Sequence, residues 1–185
     1  MKQNEPDNKA HSDGVEKTGR TMVIISWVAG LLFLTYLFQQ FLDAEHNPNR
    51  HLELVTGEDG VREVVLQRNR QGHYVADGLI NGRVTTFLLD TGATDVAVPE
   101  DLAKRLNLPR LGRGMSRTAN GTVMVYRTRL DSVQLGSVKL RDVRATILPS
   151  MAADAPVLLG MSFLKHLELV QRNGLLTLRQ GMVRG

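Results

Sequence analysis

The chain of 185 residues contains no cysteine. That absence excludes disulfides, thiolate zinc sites, iron–sulfur clusters and a cysteine nucleophile together. It leaves the compartment open, because a cysteine-free chain folds equally well in oxidising and reducing surroundings. Aromatic residues are scarce: one Trp, three Tyr and five Phe stand against 17 Gly, so packing is expected to be aliphatic and turn-rich. The five histidines, at positions 11, 46, 51, 73 and 166, show none of the spacings that hold zinc. No Gly-x-Ser-x-Gly elbow occurs, and Gly112-Arg113-Gly114 is followed by neither a third Gly nor a Lys-Ser/Thr pair. No metal and no other cofactor is therefore expected. Internal repeats and low-complexity tracts are missing as well.

What is present is ordinary for a globular domain with appendages: 42% hydrophobic and 23% charged residues. The sharpest compositional break is Thr21 to Leu42, 22 residues without a charge. As a helix this run spans roughly 33 Å, enough to cross a hydrocarbon core. A secretory signal would need a small-x-small cleavage site, and Phe41-Leu42-Asp43-Ala44 offers none. Residues 21–42 are accordingly expected to form an uncleaved transmembrane signal anchor. Lys9, Lys17 and Arg20 closely precede it, whereas the first basic residue beyond it is Arg50. This asymmetry keeps the N-terminus in the cytoplasm and sends residues 43–185 across the membrane, to an extracytoplasmic side.

Residues 1–20, with four basic and four acidic side chains and little apolar surface, are expected to be a disordered cytoplasmic tail. The net charge of +4 thus belongs to the exported part. Residues 43–60 read as a polar tether, and residues 61–185 as the folded domain. Arg110, Arg113, Arg117, Arg127 and Arg129 form a loose basic stretch. With few aromatics interleaved it reads as a solvated face, and nucleic acid is not an expected partner.

Beyond Gly60 the hydrophobic pattern has mostly a period of two. Strands are expected at 61–67, 73–80, 83–89, 115–118, 122–130, 133–135, 138–148, 168–171 and 175–179, with a short buried run at 157–160. Asn81-Gly82 and Asn173-Gly174 are two-residue hairpin signals, and Ala119-Asn120-Gly121 is a further turn candidate. Pro99 to Leu106 and Met161 to Leu167 have helical spacing, and 107–114 reads as loop. The fold class is all-β, a closed barrel or sandwich with one or two short helices, preceded by a single transmembrane helix.

The chemistry concentrates at Phe87-Leu88-Leu89-Asp90-Thr91-Gly92-Ala93-Thr94, where an apolar strand runs into an acid, a hydroxyl and a glycine. Alone, Asp-Thr-Gly is also what a plain turn after a strand looks like. A second segment, Ala155-Pro156-Val157-Leu158-Leu159-Gly160-Met161-Ser162-Phe163-Leu164, ends an apolar strand on a Gly that opens a helix. Between the two lies Thr118-Ala119-Asn120-Gly121 with its flanking strands. In this order and spacing, residues 61–180 resemble the retropepsin-like aspartic proteases, most closely a bacterial membrane-anchored subgroup with a single motif per chain.

The resemblance implies a retropepsin-like closed barrel and an aspartic endopeptidase. Asp90 would be the catalytic residue, with Thr91, Gly92 and Ala93 completing its loop. Asn120 and Gly121 would sit at the tip of a flap, and Leu88 and Leu158 would line substrate pockets. Such chemistry needs two carboxylates that share one proton, yet the chain holds one Asp-Thr-Gly. The partner would be a second copy, giving a homodimer whose twofold axis passes between the two Asp90 side chains. Asp95, Asp101 and Asp154 read as loop or surface acids. Two positions depart from the retroviral pattern: an acid after Gly-Ala and an Arg after the later Gly are replaced by Thr94 and Met161. No terminal interface strand is recognisable in Gln180 to Gly185. The alternative function is a non-catalytic peptide-binding or scaffolding module on the same fold.

Overall fold

The computed structural model describes residues 12–52, 55–56, 61–118 and 121–181. It divides into one unit ending at Ala44 and a second running from Glu45. Helix α1, Ser12–His46, supplies the first. Its window Met22–Gln39 has a mean hydropathy of 1.9 and is long and apolar enough for a membrane span or a signal segment. The side chains along it are exposed, Trp27 by 77% and Leu31 by 66%, so an apolar surrounding is needed to cover them. The hydroxyls of Ser26 and Thr35 donate to the carbonyls of Met22 and Leu31, which hides their polarity inside the helix. Residues 12–20 continue this helix towards the N-terminus. Once the apolar turns are formed, each added residue gains a hydrogen bond without a new nucleation step.

The second unit contains β1 Val55–Thr56, β2 Arg62–Gln67, β3 Val75–Ile80, β4 Arg83–Leu89, β5 Val96–Pro99, α2 Glu100–Arg105 and β6 Gly112–Thr118. There follow β7 Gly121–Leu135, β8 Val138–Leu148, β9 Val157–Leu159, α3 Met161–Leu164, β10 Glu168–Arg172 and β11 Leu175–Gln180. Six strands close a ring in the order β3-β4-β9-β5-β8-β7, sealed where Leu79 and Ile80 pair with Gln134 and Val133. Strand β6 lies outside that ring and pairs with β7 alone, from Gly112↔Arg127 to Thr118↔Gly121. A second, antiparallel sheet, β1-β2-β11-β10, faces its apolar side inward through Val64, Leu66, Leu176 and Leu178. With Phe87, Ile80, Leu130, Leu159 and Phe163, all fully buried, these build one core. Each such side chain contributes about 1.5–3 kcal/mol by leaving water. On the outer side Glu63 hydrogen-bonds Arg179, which pushes the guanidinium pKa up from its ordinary value.

Asn81-Gly82 and Asn173-Gly174 turn with positive φ at both residues, 49° and 80°, then 51° and 78°, the pairing that matches strand twist in a two-residue hairpin. Several elements differ from the pattern reading. Residues 112–114 are strand rather than loop, and β7 runs unbroken through Asp131 and Ser132. The helix after Gly160 stops at Leu164. Strand β5 escaped notice because all four of its residues are buried, which erases the alternation that marks a half-exposed strand.

Part of residues 43–60 packs on the domain. Asn47 and Asn49 are buried, and Asn49 amounts to a clasp. Its Nδ2 donates to the Gln67 and Val75 carbonyls at 2.9 and 2.7 Å, and its Oδ1 accepts from the Gln67 amide at 2.7 Å. Asn47 Nδ2 donates to Asp77, which also accepts from Thr86 Oγ1. Polar composition alone reads as linker, but these amides stand in for missing strand partners and are buried because they are satisfied.

Candidate active site

Strand β4 runs between two neighbours at its C-terminal end. Leu88 pairs with Val75 of β3 on one side and, in parallel, with Leu158 of β9 on the other. The ladder continues one step past the strand, where the Asp90 amide donates to the Leu159 carbonyl at 3.2 Å. The chain then turns sharply. Asp90 Oδ1 accepts from the Gly92 amide at 2.9 Å, and the Ala93 amide reaches back to the Asp90 carbonyl at 3.2 Å. A carboxylate at a strand's end is thereby held by one backbone amide rather than by a long side chain.

The far side of the loop is bolted to α3. The Met161 and Ser162 amides, free because they open a helix, donate to the Ala93 and Thr94 carbonyls at 2.8 and 2.9 Å. The approach is so close that a Cβ on Gly160 would lie 2.6 Å from the Ala93 carbonyl oxygen and closer still to that of Asp95. Ser162 completes the joint. Its buried hydroxyl accepts from the Val96 amide and donates to the Arg144 carbonyl, tying β5, β8 and α3 together. The Arg144 Nε donates in turn to Asp95 at 2.9 Å. Asp95 is thus not a plain surface acid.

These constraints shape a cavity of about 450 Å³. The loop contributes Asp90, Gly92, Ala93, Thr94 and Asp95; the barrel contributes Ala97, Thr146, Leu148 and Leu158; strand β6 contributes Ser116 and Arg117. A larger opening of about 620 Å³, bounded by residues 67–72 and 173–175, has no carboxylate on its lining and offers no acid–base chemistry. Among the described residues no cluster of His, Asp and Glu could hold a metal ion.

Of the residues singled out in the sequence, Asp90, Gly92, Ala93 and Leu158 share this cavity. Thr91 is exposed and Leu88 half-buried, and neither is on the lining. Gly121 opens β7 opposite Thr118 with φ at 107°, away from the lining, and Asn120 lies outside the described residues. Ser116, Thr146 and Leu148 went unnoticed, and Arg117 reads in the sequence only as part of a solvated basic face. The period-two face of β8 was the signal for Thr146 and Leu148, whereas the sequence GRGMSRT of β6 carries no alternation that marks Arg117.

Comparison with known proteins agrees with this geometry. Residues 76–166 match the family model described as "gag-polyprotein putative aspartyl protease". A Sinorhizobium sp. protein, "Uncharacterized protein in cobV 5'region", is 32% identical over 121 residues, which is 64% of this chain and 52% of the relative. "Uncharacterized protein RP867" of Rickettsia prowazekii (strain Madrid E) is 28% identical over 110 residues, 57% of this chain and 46% of that one. The chain thus spans about half the length of the curated relatives it matches. The crystal structure of a retropepsin-like aspartic protease from Rickettsia conorii superposes with a TM-score of 0.54 at 26% identity, covering 65% of this chain and 90% of that one. These matches, with the six-stranded ring and the Asp-Thr-Gly turn beside the cavity, support the retropepsin-like aspartic protease family for the β domain, whose fold is retropepsin-like.

Proposed function

We propose that the chain is a membrane-anchored aspartic endopeptidase that hydrolyses peptide bonds as a homodimer. One Asp90 from each copy shares a proton; the ionised carboxyl takes a proton from water, which attacks the peptide carbonyl. The protonated carboxyl donates to the developing oxyanion. Thr91 braces the paired loops, and Gly92 leaves room for the substrate backbone. Leu158 contacts an extended peptide, which gains strand-like hydrogen bonds between strand β6 and the barrel. No cofactor enters this scheme.

The observation that carries the reading is the Asp90 carboxylate beside a peptide-sized cavity whose other acid among the described residues, Asp95, is engaged by Arg144. One chain therefore offers one available carboxylate, and a second copy is the simplest source of the other. Residues 21–42 would hold the protein in the inner membrane, with the N-terminus cytoplasmic and the protease domain outside, as the Lys/Arg asymmetry favours.

The test uses the full chain in detergent micelles with an unbiased peptide mixture, read by mass spectrometry from pH 3 to 8, wild type beside Asp90→Asn. Cuts made by the wild type and not by the variant support the mechanism. A folded dimer that binds peptides without cutting any would instead make this a peptide-binding module.

A further inference from the structure

Charge matching within the domain leaves one cation over at the cavity. Arg144 is held by Asp95, Arg129 by Asp142 at 2.7 Å, Arg179 by Glu63 at 2.8 Å, and Arg110 by Glu100 while it stacks on Tyr126. Arg117 lines the same cavity as Asp90, yet its guanidinium has no hydrogen bond or ion pair among the described residues. It projects from β6, outside the closed ring, in register with Thr122. The lining it shares carries apolar Ala97, Leu148 and Leu158 beside the hydroxyls of Thr94, Ser116 and Thr146, and its acid Asp95 is held by Arg144. An unmatched guanidinium beside low-dielectric surface, with five donors in a planar fork, is suited to a carboxylate.

We propose that Arg117 forms a carboxylate-binding subsite, so that the substrates are peptides carrying Asp or Glu close to the cut bond. This rests on the proteolytic reading above and names its substrate class. The spacing follows from size. A cavity of 450 Å³ is roughly 10 Å across, and an extended chain advances ~3.4 Å per residue, so the acid falls within about three residues of the scissile bond. Strand-like bonding of the peptide along β6 would fix its register and aim every second side chain at the hairpin. Asp90 does not compete for Arg117, since the two form no ion pair and the Asp90 carboxylate is engaged by the Gly92 amide.

The experiment has two arms, both on the full chain in detergent micelles. In the first, an unbiased peptide mixture is digested by wild type, Arg117→Gln and Arg117→Glu, and residues flanking each cut are tallied. Wild-type cuts should be enriched about tenfold in Asp or Glu at one position within three residues of the bond, the equivalent of one good charge-assisted pair. The enrichment should vanish in Arg117→Gln and turn towards Lys or Arg in Arg117→Glu, a gain that a misfolded variant cannot mimic. Wild-type cuts without acid enrichment, or enrichment that survives Arg117→Gln, overturn the subsite. The second arm removes cleavage from the question by measuring binding to Asp90→Asn of two fluorescent decapeptide libraries that differ only in Glu against Gln. Preference for the Glu library, lost in Asp90→Asn/Arg117→Gln, supports the subsite even where proteolysis fails; equal binding of the two overturns it.

Discussion

Replacing Gly160 by Ala should be among the most damaging single-methyl additions to this domain. The backbone there, at φ −89° and ψ −173°, is open to any residue, so no conformational strain is involved. The obstacle is the close pass of the active-site loop, where the new Cβ meets the carbonyls of Ala93 and Asp95, which are backbone and cannot rotate away. Relief requires loop and helix to separate, which weakens the Met161–Ala93 and Ser162–Thr94 hydrogen bonds. Two such bonds at about 1 kcal/mol each, with about 1–3 kcal/mol for overpacking, give roughly 3–5 kcal/mol. Alanine's lower entropy in the unfolded chain offsets about 0.4–1 kcal/mol, leaving a net loss of about 2–4 kcal/mol. Scanning calorimetry of the full chain in detergent should place the domain transition roughly 8–16 °C lower, at about 4 °C per kcal/mol for a domain of this size. Gly114→Ala is the control, because its Cβ would meet Val125 and Arg127 at an ordinary 3.7 Å, and it should lose less than about 1 kcal/mol. Equal shifts for the two variants would refute the argument that close backbone approach is what demands glycine at 160.

Ser162→Ala strands the buried Val96 amide and the Arg144 carbonyl and should destabilise by about 1–3 kcal/mol in urea titration; an unchanged midpoint would mean the joint is held elsewhere. Asn49→Ala removes three side-chain hydrogen bonds and should lose about 2–4 kcal/mol, whereas a change under about 0.5 kcal/mol would make residues 45–52 a mere tether after all. If two Asp90 carboxylates act together, reassembling equal amounts of wild-type and Asp90→Asn chains should leave about one quarter of the wild-type peptidase activity per total protein. One half would show that each chain works alone.

The parts of this protein legible in the sequence are those encoded by short, regular patterns. A charge-free run of helical length, Asn-Gly dipeptides between alternating strands, and an apolar strand ending in Asp90-Thr91-Gly92 each carry their own local physics. Where burial is complete or polarity is compensated, that legibility fails. Val96–Pro99 lost its period because both faces are covered, and Asn47 and Asn49 looked like linker because an amide buried on backbone partners has the same composition as one in water.

By itself, then, the sequence determined the membrane-length helix, the hairpin turns, the all-β domain and the position of the acid around which the site is built. Only the tertiary structure decided that Asp95 turns to Arg144 across 49 residues, that Ser162 locks Val96 across 66, and that Arg117 reaches the Asp90 cavity with no acidic partner among the described residues. Periodicity records which face of a segment leaves water. Which segments then meet depends on closure of the six-stranded ring, and a linear pattern holds no record of those distant partners.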